Sequence, residues 1–251
     1  QTYDAQVRAD NFYMTCGAAA SLTISLKALV EGPDDKIILI APFFPEYTVF
    51  VHNANAKAVV LPPDTEHFQI SLDALEKAIT PHTRAIIINS PNNPSGVVYS
   101  ADTYEKLAVL LTRKSQEIGH PIYIISDEPY REIIYDGLPI LYVPKFYKDT
   151  IICYSYSKSL SLPGERIGYV LVPDCAADAQ EVYTAVCGAA RSMGFVCAPH
   201  LFQDVVLKCL GQTGDMNIYD ENRKLLYNGL REMGYDCVYP SGAFYLFVKS
   251  P

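Results

Sequence analysis

The chain has 251 residues, 49% of them hydrophobic and 19% charged, with a formal net charge of −8. That suits one large, well-filled globular unit and argues against disorder. The acidic balance gives no footing for nucleic acid or an anionic membrane surface; no apolar run approaches the roughly 18 residues of a membrane span, and the opening QTYDAQVRAD is no signal peptide. Seven cysteines (Cys16, Cys153, Cys175, Cys187, Cys197, Cys209 and Cys237) show no CxxC pair and no metal-ligand spacing. The expectation is reduced thiols, most of them in the core, in a cytoplasmic protein.

The first twelve residues carry no pattern, and the chain reads as if it begins mid-domain. Phe12 to Gly17 then leads into a helix-forming run, Ala18 to Val30, stopped by Glu31-Gly32-Pro33. Lys36 to Ala41 reads as a buried strand, Pro42 to Pro45 as a turn into a helix starting near Glu46, and Lys57 to Leu61 as a short strand. Ser71 caps a helix from Leu72 to Ile79, with Ala74 where a capping-box glutamate would stand, so the cap is partial. Arg84 to Asn89 is a strand running into the loop Ser90 to Gly96. A long amphipathic helix covers Ala101 to Ile118, and a strand Ile122 to Ser126 follows.

Further on, strand candidates Thr150 to Tyr154 and Ile167 to Val172 flank a hydroxyl-rich segment that carries Lys158 and Arg166. Pro163-Gly164 between them would reverse the chain and could bring the two cations near each other. Helical patterns return over Ala176 to Ala190, His200 to Leu210 and Asn217 to Met233, and an alternating segment, Ala243 to Val248, comes last. Strands without polar alternation, separated by helices, predict a three-layer α/β/α fold with a mostly parallel mixed central sheet.

Ligands in such sheets bind at the carboxyl ends of the strands. Those ends carry Cys16-Gly17-Ala18-Ala19, Pro42-Phe43-Phe44, Asn92-Asn93-Pro94-Ser95-Gly96, Asp127-Glu128-Pro129-Tyr130 and the Lys158 to Arg166 segment. A glycine opening a helix leaves backbone N–H groups aimed at an anion, for which Ser155 and Arg166 are plausible partners. Each feature also has a plain reading. Gly17 can be an ordinary strand-to-helix turn, Asp127 a helix N-cap, Asn93 a turn residue and Phe44 core. The lysine segment can be a solvated serine-rich loop.

Asn92-Asn93-Pro94-Ser95-Gly96, Asp127-Glu128-Pro129-Tyr130 and Ser155-Tyr156-Ser157-Lys158, followed by Pro163-Gly164-Glu165-Arg166-Ile167-Gly168-Tyr169, stand in one order. In that order and approximate spacing they resemble the class I/II aminotransferases, pyridoxal-phosphate enzymes of fold type I, over nearly the whole chain. The resemblance implies pyridoxal 5′-phosphate as cofactor, an amino acid and a 2-oxo acid as substrates, and a homodimer for the full-length protein. It implies no nucleic-acid or membrane partner. Lys158 would hold the cofactor aldehyde as a Schiff base and later move the substrate Cα proton. Asp127 would face the pyridine nitrogen, Tyr130 and Asn93 the phenolic oxygen, and Phe44 the ring face. Ser155, Arg166 and the backbone of Ala18 and Ala19 would hold the phosphate.

Departures from the family are informative. Its members run to roughly 400 residues, so the chain reads as a fragment: 1–230 the large cofactor-binding domain, 231–251 the start of a truncated small domain. No arginine follows Arg231 to grip a substrate carboxylate, so the isolated chain is expected to bind cofactor and transaminate poorly. The tail, deprived of partner strands, is expected to be poorly placed or unusually paired. Arg191 either reaches a neighbouring subunit's substrate or is a surface arginine. A carbon–sulfur β-lyase and the sensor half of a transcription regulator are the alternative functions on this scaffold.

Overall fold

The computed structural model of the chain describes residues 7–250. Gln1 to Gln6, half of the patternless opening, lie outside that range. Strands β1 (Phe12–Thr15), β2 (Lys36–Ile40), β3 (Lys57–Leu61), β4 (Thr83–Asn89), β5 (Tyr123–Asp127), β6 (Thr150–Ser155) and β7 (Gly168–Leu171) form one sheet. Helices α1 (Ala18–Leu29), α2 (Glu46–Asn53), α3 (Leu72–Ala78), α4 (Ala101–Ile118), α5 (Tyr156–Ser159), α6 (Ala179–Ser192), α7 (His200–Lys208) and α8 (Met216–Glu232) alternate with or follow the strands. The expected fold class holds.

Strand order across the sheet is β1-β7-β6-β5-β4-β2-β3. Pairs β2–β3, β2–β4, β4–β5 and β5–β6 are parallel, whereas β7 runs antiparallel to both β6 and β1. The chain leaves β2 outward to β3 and then returns to the other side of β2 for β4, so a crevice opens at the carboxyl ends near that reversal.

Successive side chains of a strand face opposite sides, and both sides are buried here. Ile37, Leu39, Ala85, Ile87, Ile125 and Ile151 pack on one face with Leu22 and Leu26 of α1, Val51 of α2 and Val186 of α6. Ile38, Ile40, Ile86, Ile88 and Ile124 pack on the other with Leu75 of α3 and Leu107, Leu110 and Leu111 of α4. Full burial of an isoleucine stabilises by roughly 1.5–3 kcal/mol, which is why continuous apolar runs specify central strands.

α4 matches its sequence reading residue for residue because both ends are marked locally. The Ser100 hydroxyl accepts from Thr103 N–H, and Gly119 closes the helix in the left-handed region at φ 83°. Other expectations need correction. Ser71 precedes α3, but its side chain makes no capping bond; with alanine at position 74 there is no reciprocal bond to hold it. Only Cys153 is a buried cysteine, while Cys175 and Cys197 are exposed; Cys175 and Cys197 stand in the turn before α6 and the loop between α6 and α7, outside the packed elements. β5 begins one residue late and includes Asp127, and β7 is shorter at each end than Ile167 to Val172.

The tail is neither a strand nor poorly placed. Ser241 N–H and Gly242 N–H both donate to Gly96 O at 2.9 and 2.8 Å, and Ala243 N–H donates to Ile133 O at 2.8 Å. Arg223 of α8, buried between the Tyr135 and Tyr239 rings, donates to both Asp136 oxygens, to Asp220 and to Pro240 O. Loop-to-loop bonds and this ion cluster replace a ladder.

Gly168, at the start of β7, lies where a side chain has no room. A Cβ there would collide with Tyr154 O and come within 3.0 Å of Gly17 Cα. Gly168→Ala should lower stability by about 1–3 kcal/mol, as overpacking does; a urea denaturation midpoint measures it. A midpoint unchanged from the parent would show that the contact is slack.

Candidate active site

A cleft of about 230 Å³ opens at the carboxyl ends of the strands. It is lined by Ala18, Ala19, Phe44, Asn93, Asp127, Tyr130, Ser155, Lys158 and Arg166, the nine positions singled out in the sequence, together with Leu22, Asn89, Ser157 and Tyr245. Consecutive strand ends deliver them. β2 leads to Phe44, β4 to Asn93, β5 to Asp127 and Tyr130, and β6 to Ser155 and Lys158.

Asp127 closes β5, fully buried, and no helix starts there, so the N-cap reading is excluded. Tyr47 of α2 donates to its Oδ2 at 2.5 Å, while Oδ1 has no hydrogen-bond partner among the described residues. Burial, opposed by the Tyr47 bond and helped by the nearby Glu128 carboxylate, pushes the Asp127 pKa up to about 7. Asn89, level with Asp127 in the β4–β5 register, donates to Asp127 O at 2.8 Å and accepts from Asn93 N–H at 2.7 Å.

The lysine segment is not an extended alternating run. Ser155 ends β6 and caps the single helical turn α5, accepting from Ser157 N–H, and Lys158 leaves that turn toward the cleft. Lys158 Nζ lies 5.5 Å from the centre of the Phe244 ring. Arg166, in the left-handed region at φ 52°, reaches the cleft from an exposed turn. Its guanidinium donates to Pro163 O at 2.8 Å and to Ser157 Oγ at 3.4 Å. Pro163 and the turn thus bring Lys158 and Arg166 to one cleft.

Gly17 caps α1 at φ 86°, and a Cβ there would lie 2.5 Å from Arg166 Nη2. Glycine is required by both the conformation and the close approach. The first N–H groups of α1 have no intrahelical acceptor, so they, Arg166, Ser155 and Ser157 form an anion cradle. Arg191 is exposed in the last turn of α6 and is not among the lining residues.

Sequence reasoning missed Tyr47, Asn89, Ser157 and Tyr245. Asn89 had a signal: like Asp127 it is a polar residue ending an apolar strand. Ser157 sat within the serine alternation. Tyr47 and Tyr245 are ordinary aromatics locally, and only the fold brings Tyr47 against Asp127 and Tyr245 into the cleft.

With this geometry in view, comparison with known proteins is direct. The chain belongs to the class I and II aminotransferases: the sequence model of that family matches residues 2–251. It is 31% identical over 250 residues to the aspartate aminotransferase of Rhizobium meliloti, covering 95% of this chain and 58% of that protein. It is 30% identical over 243 residues to aromatic-amino-acid aminotransferase 2 of Thermococcus litoralis, covering 94% and 60%. Among solved structures, an aminotransferase from Eubacterium rectale superposes with a TM-score of 0.98 at 62% identity, covering 99% of this chain and 63% of that one. The aspartate aminotransferase of Thermotoga maritima superposes with a TM-score of 0.85 at 29% identity, covering 97% and 63%. The chain thus spans about 60% of the length of the curated relatives it matches. Members of the family use pyridoxal 5′-phosphate. Two features of this chain fit that group: the unpartnered, buried Asp127 Oδ1 and the cradle that a Gly17 side chain would fill.

Asp127 makes a pH-dependent contribution to stability in the cofactor-free protein. Its folded pKa of about 7 lies above the ordinary 3.8, so the folded state holds the extra proton between those values. Stability from this group therefore falls as pH rises through that window and is level above it. Asp127→Asn keeps an acceptor for Tyr47 and has no charge to bury. It should be more stable than the parent at pH 8 by on the order of 2–4 kcal/mol and nearly equal at pH 4.5. Urea midpoints at the two pH values measure this; an equal difference at both would mean that ionisation is not the cause.

Proposed function

We propose that the chain is the cofactor-binding part of an aminotransferase that moves an amino group between an amino acid and a 2-oxo acid. The observation that carries this reading is the convergence, in one cleft, of a lysine, a buried half-partnered carboxylate and an anion cradle. We assign residues 1–230 to the large domain and the remainder to the start of a second. Exposed Leu201, Leu207 and Leu210 support a homodimer of the full-length protein.

Pyridoxal phosphate, when bound, supplies the electron sink for the pair released at the substrate Cα. Arg166, Ser155, Ser157 and the N–H groups of Ala18 and Ala19 would hold its phosphate; because both alanines lack a hydroxyl, the side chains of Arg166 and Ser155 carry more of that contact. Phe44 would cover one face of the ring. Asp127 would pair through Oδ1 with the ring nitrogen and keep it protonated, since an adjacent carboxylate favours the cation. Its own ionisation would be restored by that partner. Tyr130 and Asn93 would hydrogen-bond the phenolic oxygen. Lys158 would take the substrate Cα proton on Nζ and return it.

Addition of pyridoxal phosphate should give a visible absorbance band that borohydride fixes as a modified Lys158, identified by peptide mass; Lys158→Ala should give none. Arg166→Ala should weaken cofactor binding roughly 10- to 100-fold, the loss of charge-assisted hydrogen bonds. With no arginine after Arg231, the 251-residue chain alone should load cofactor yet transaminate far more slowly than the full-length protein. A chain that stays colourless in excess cofactor would overturn the reading.

A further inference from the structure

The outer wall of the cleft comes from the far end of the chain. Tyr245 Oη lies 2.5 Å from Tyr130 Oη, and the two rings meet edge-to-face at 5.4 Å. Tyr245 does not depend on that bond for its place. Ala243, two residues earlier, donates its N–H to Ile133 O at 2.8 Å and accepts from the Tyr135 hydroxyl at 2.5 Å. Arg223 holds Pro240 O at 2.8 Å. The backbone therefore delivers the Tyr245 hydroxyl to Tyr130.

A phenolic hydroxyl has one proton to donate and an oxygen that accepts. If Tyr130 spent its proton on Tyr245, it would have none for a third group in the cleft. If Tyr245 donates, the Tyr130 proton is free and the Tyr130 O–H is polarised to donate more strongly. Asn93 lines the same cleft as Tyr130. Burial raises the Tyr130 pKa, so its proton stays in place at neutral pH.

We propose that Tyr245 is a positioning residue of the reaction: it donates its hydroxyl to Tyr130 and so turns the Tyr130 proton toward the phenolic oxygen of the cofactor. The inference rests on the function proposed above. Its consequence is electrostatic. A hydrogen bond donated to that oxygen draws negative charge away from the adjacent Lys158 nitrogen, which then loses its proton at lower pH. Weakening the bond raises that pH.

The test is a pH titration of the visible absorbance of the cofactor-loaded, full-length protein, in the parent, Tyr245→Phe, Tyr130→Phe and the double variant. Tyr245→Phe should raise the midpoint by roughly 0.3–0.8 unit, with cofactor affinity within about twofold of the parent. Tyr130→Phe should raise it further, and the double variant should match Tyr130→Phe alone, because Tyr245 acts through Tyr130. A parent midpoint in Tyr245→Phe, or shifts that add in the double variant, would overturn the role. Loss of cofactor in Tyr245→Phe would also overturn it and make the residue a wall of the cleft. A colourless parent protein would overturn the functional reading itself, and this inference with it.

Discussion

A carboxylate without water at the end of a central strand is the constraint around which this fold is arranged. Removing such a group from water has an effective penalty of several kcal/mol unless partners return it. Here the protein returns part. Tyr47 donates one short bond, Asn89 fixes the backbone from the neighbouring strand, and one oxygen has no partner among the described residues. The high pKa of Asp127 follows from that unfinished solvation.

The sheet determines where the other groups meet that carboxylate. Parallel strands β2, β4, β5 and β6 all present their carboxyl ends to the same edge, so four loops far apart in sequence share one cleft. β7 then returns antiparallel behind β6 and carries the chain out of the turn holding Arg166. Two glycines make this closure possible. Gly168 lets β7 pass against Tyr154 and the Gly17 loop, and Gly17 lets the Arg166 guanidinium lie against the start of α1. The start of α1 therefore brings backbone N–H groups to the same place as the Arg166, Ser155 and Ser157 side chains.

The final segment gives the cleft its second wall. Phe244 and Tyr245 both contact Tyr130 edge-on, at 5.4 Å in each case, and Arg223 ties α8, Asp136 and Pro240 into one buried cluster. A segment with no ladder of its own is held by ions and by carbonyls of loops already fixed by the sheet. The tail is thus fixed by Ile133, Tyr135 and Arg223, and it brings Tyr245 to Tyr130.

The sequence by itself determined the elements whose signals are local. Continuous apolar runs gave the strands to within a residue or two, and amphipathic periodicity gave α4, whose ends Ser100 and Gly119 close in the structure. The resemblance carried by the order of the asparagine, aspartate and lysine–arginine segments named the nine candidate positions; their place at strand ends alone left plainer readings open. Signals without a local partner misled. Ser71 had the residue type of a cap but no reciprocal bond, the cysteines had apolar neighbours in sequence rather than in space, and Ala243 to Val248 had a strand's alternation but no adjacent edge to pair with. Only the tertiary structure decided that Tyr47 meets Asp127, 80 residues away in sequence, and that Tyr245 meets Tyr130, 115 residues away. Propensity and periodicity are properties of a few neighbouring residues, whereas those contacts exist because sheet order and helix packing close long loops, and nothing in the local sequence encodes that closure.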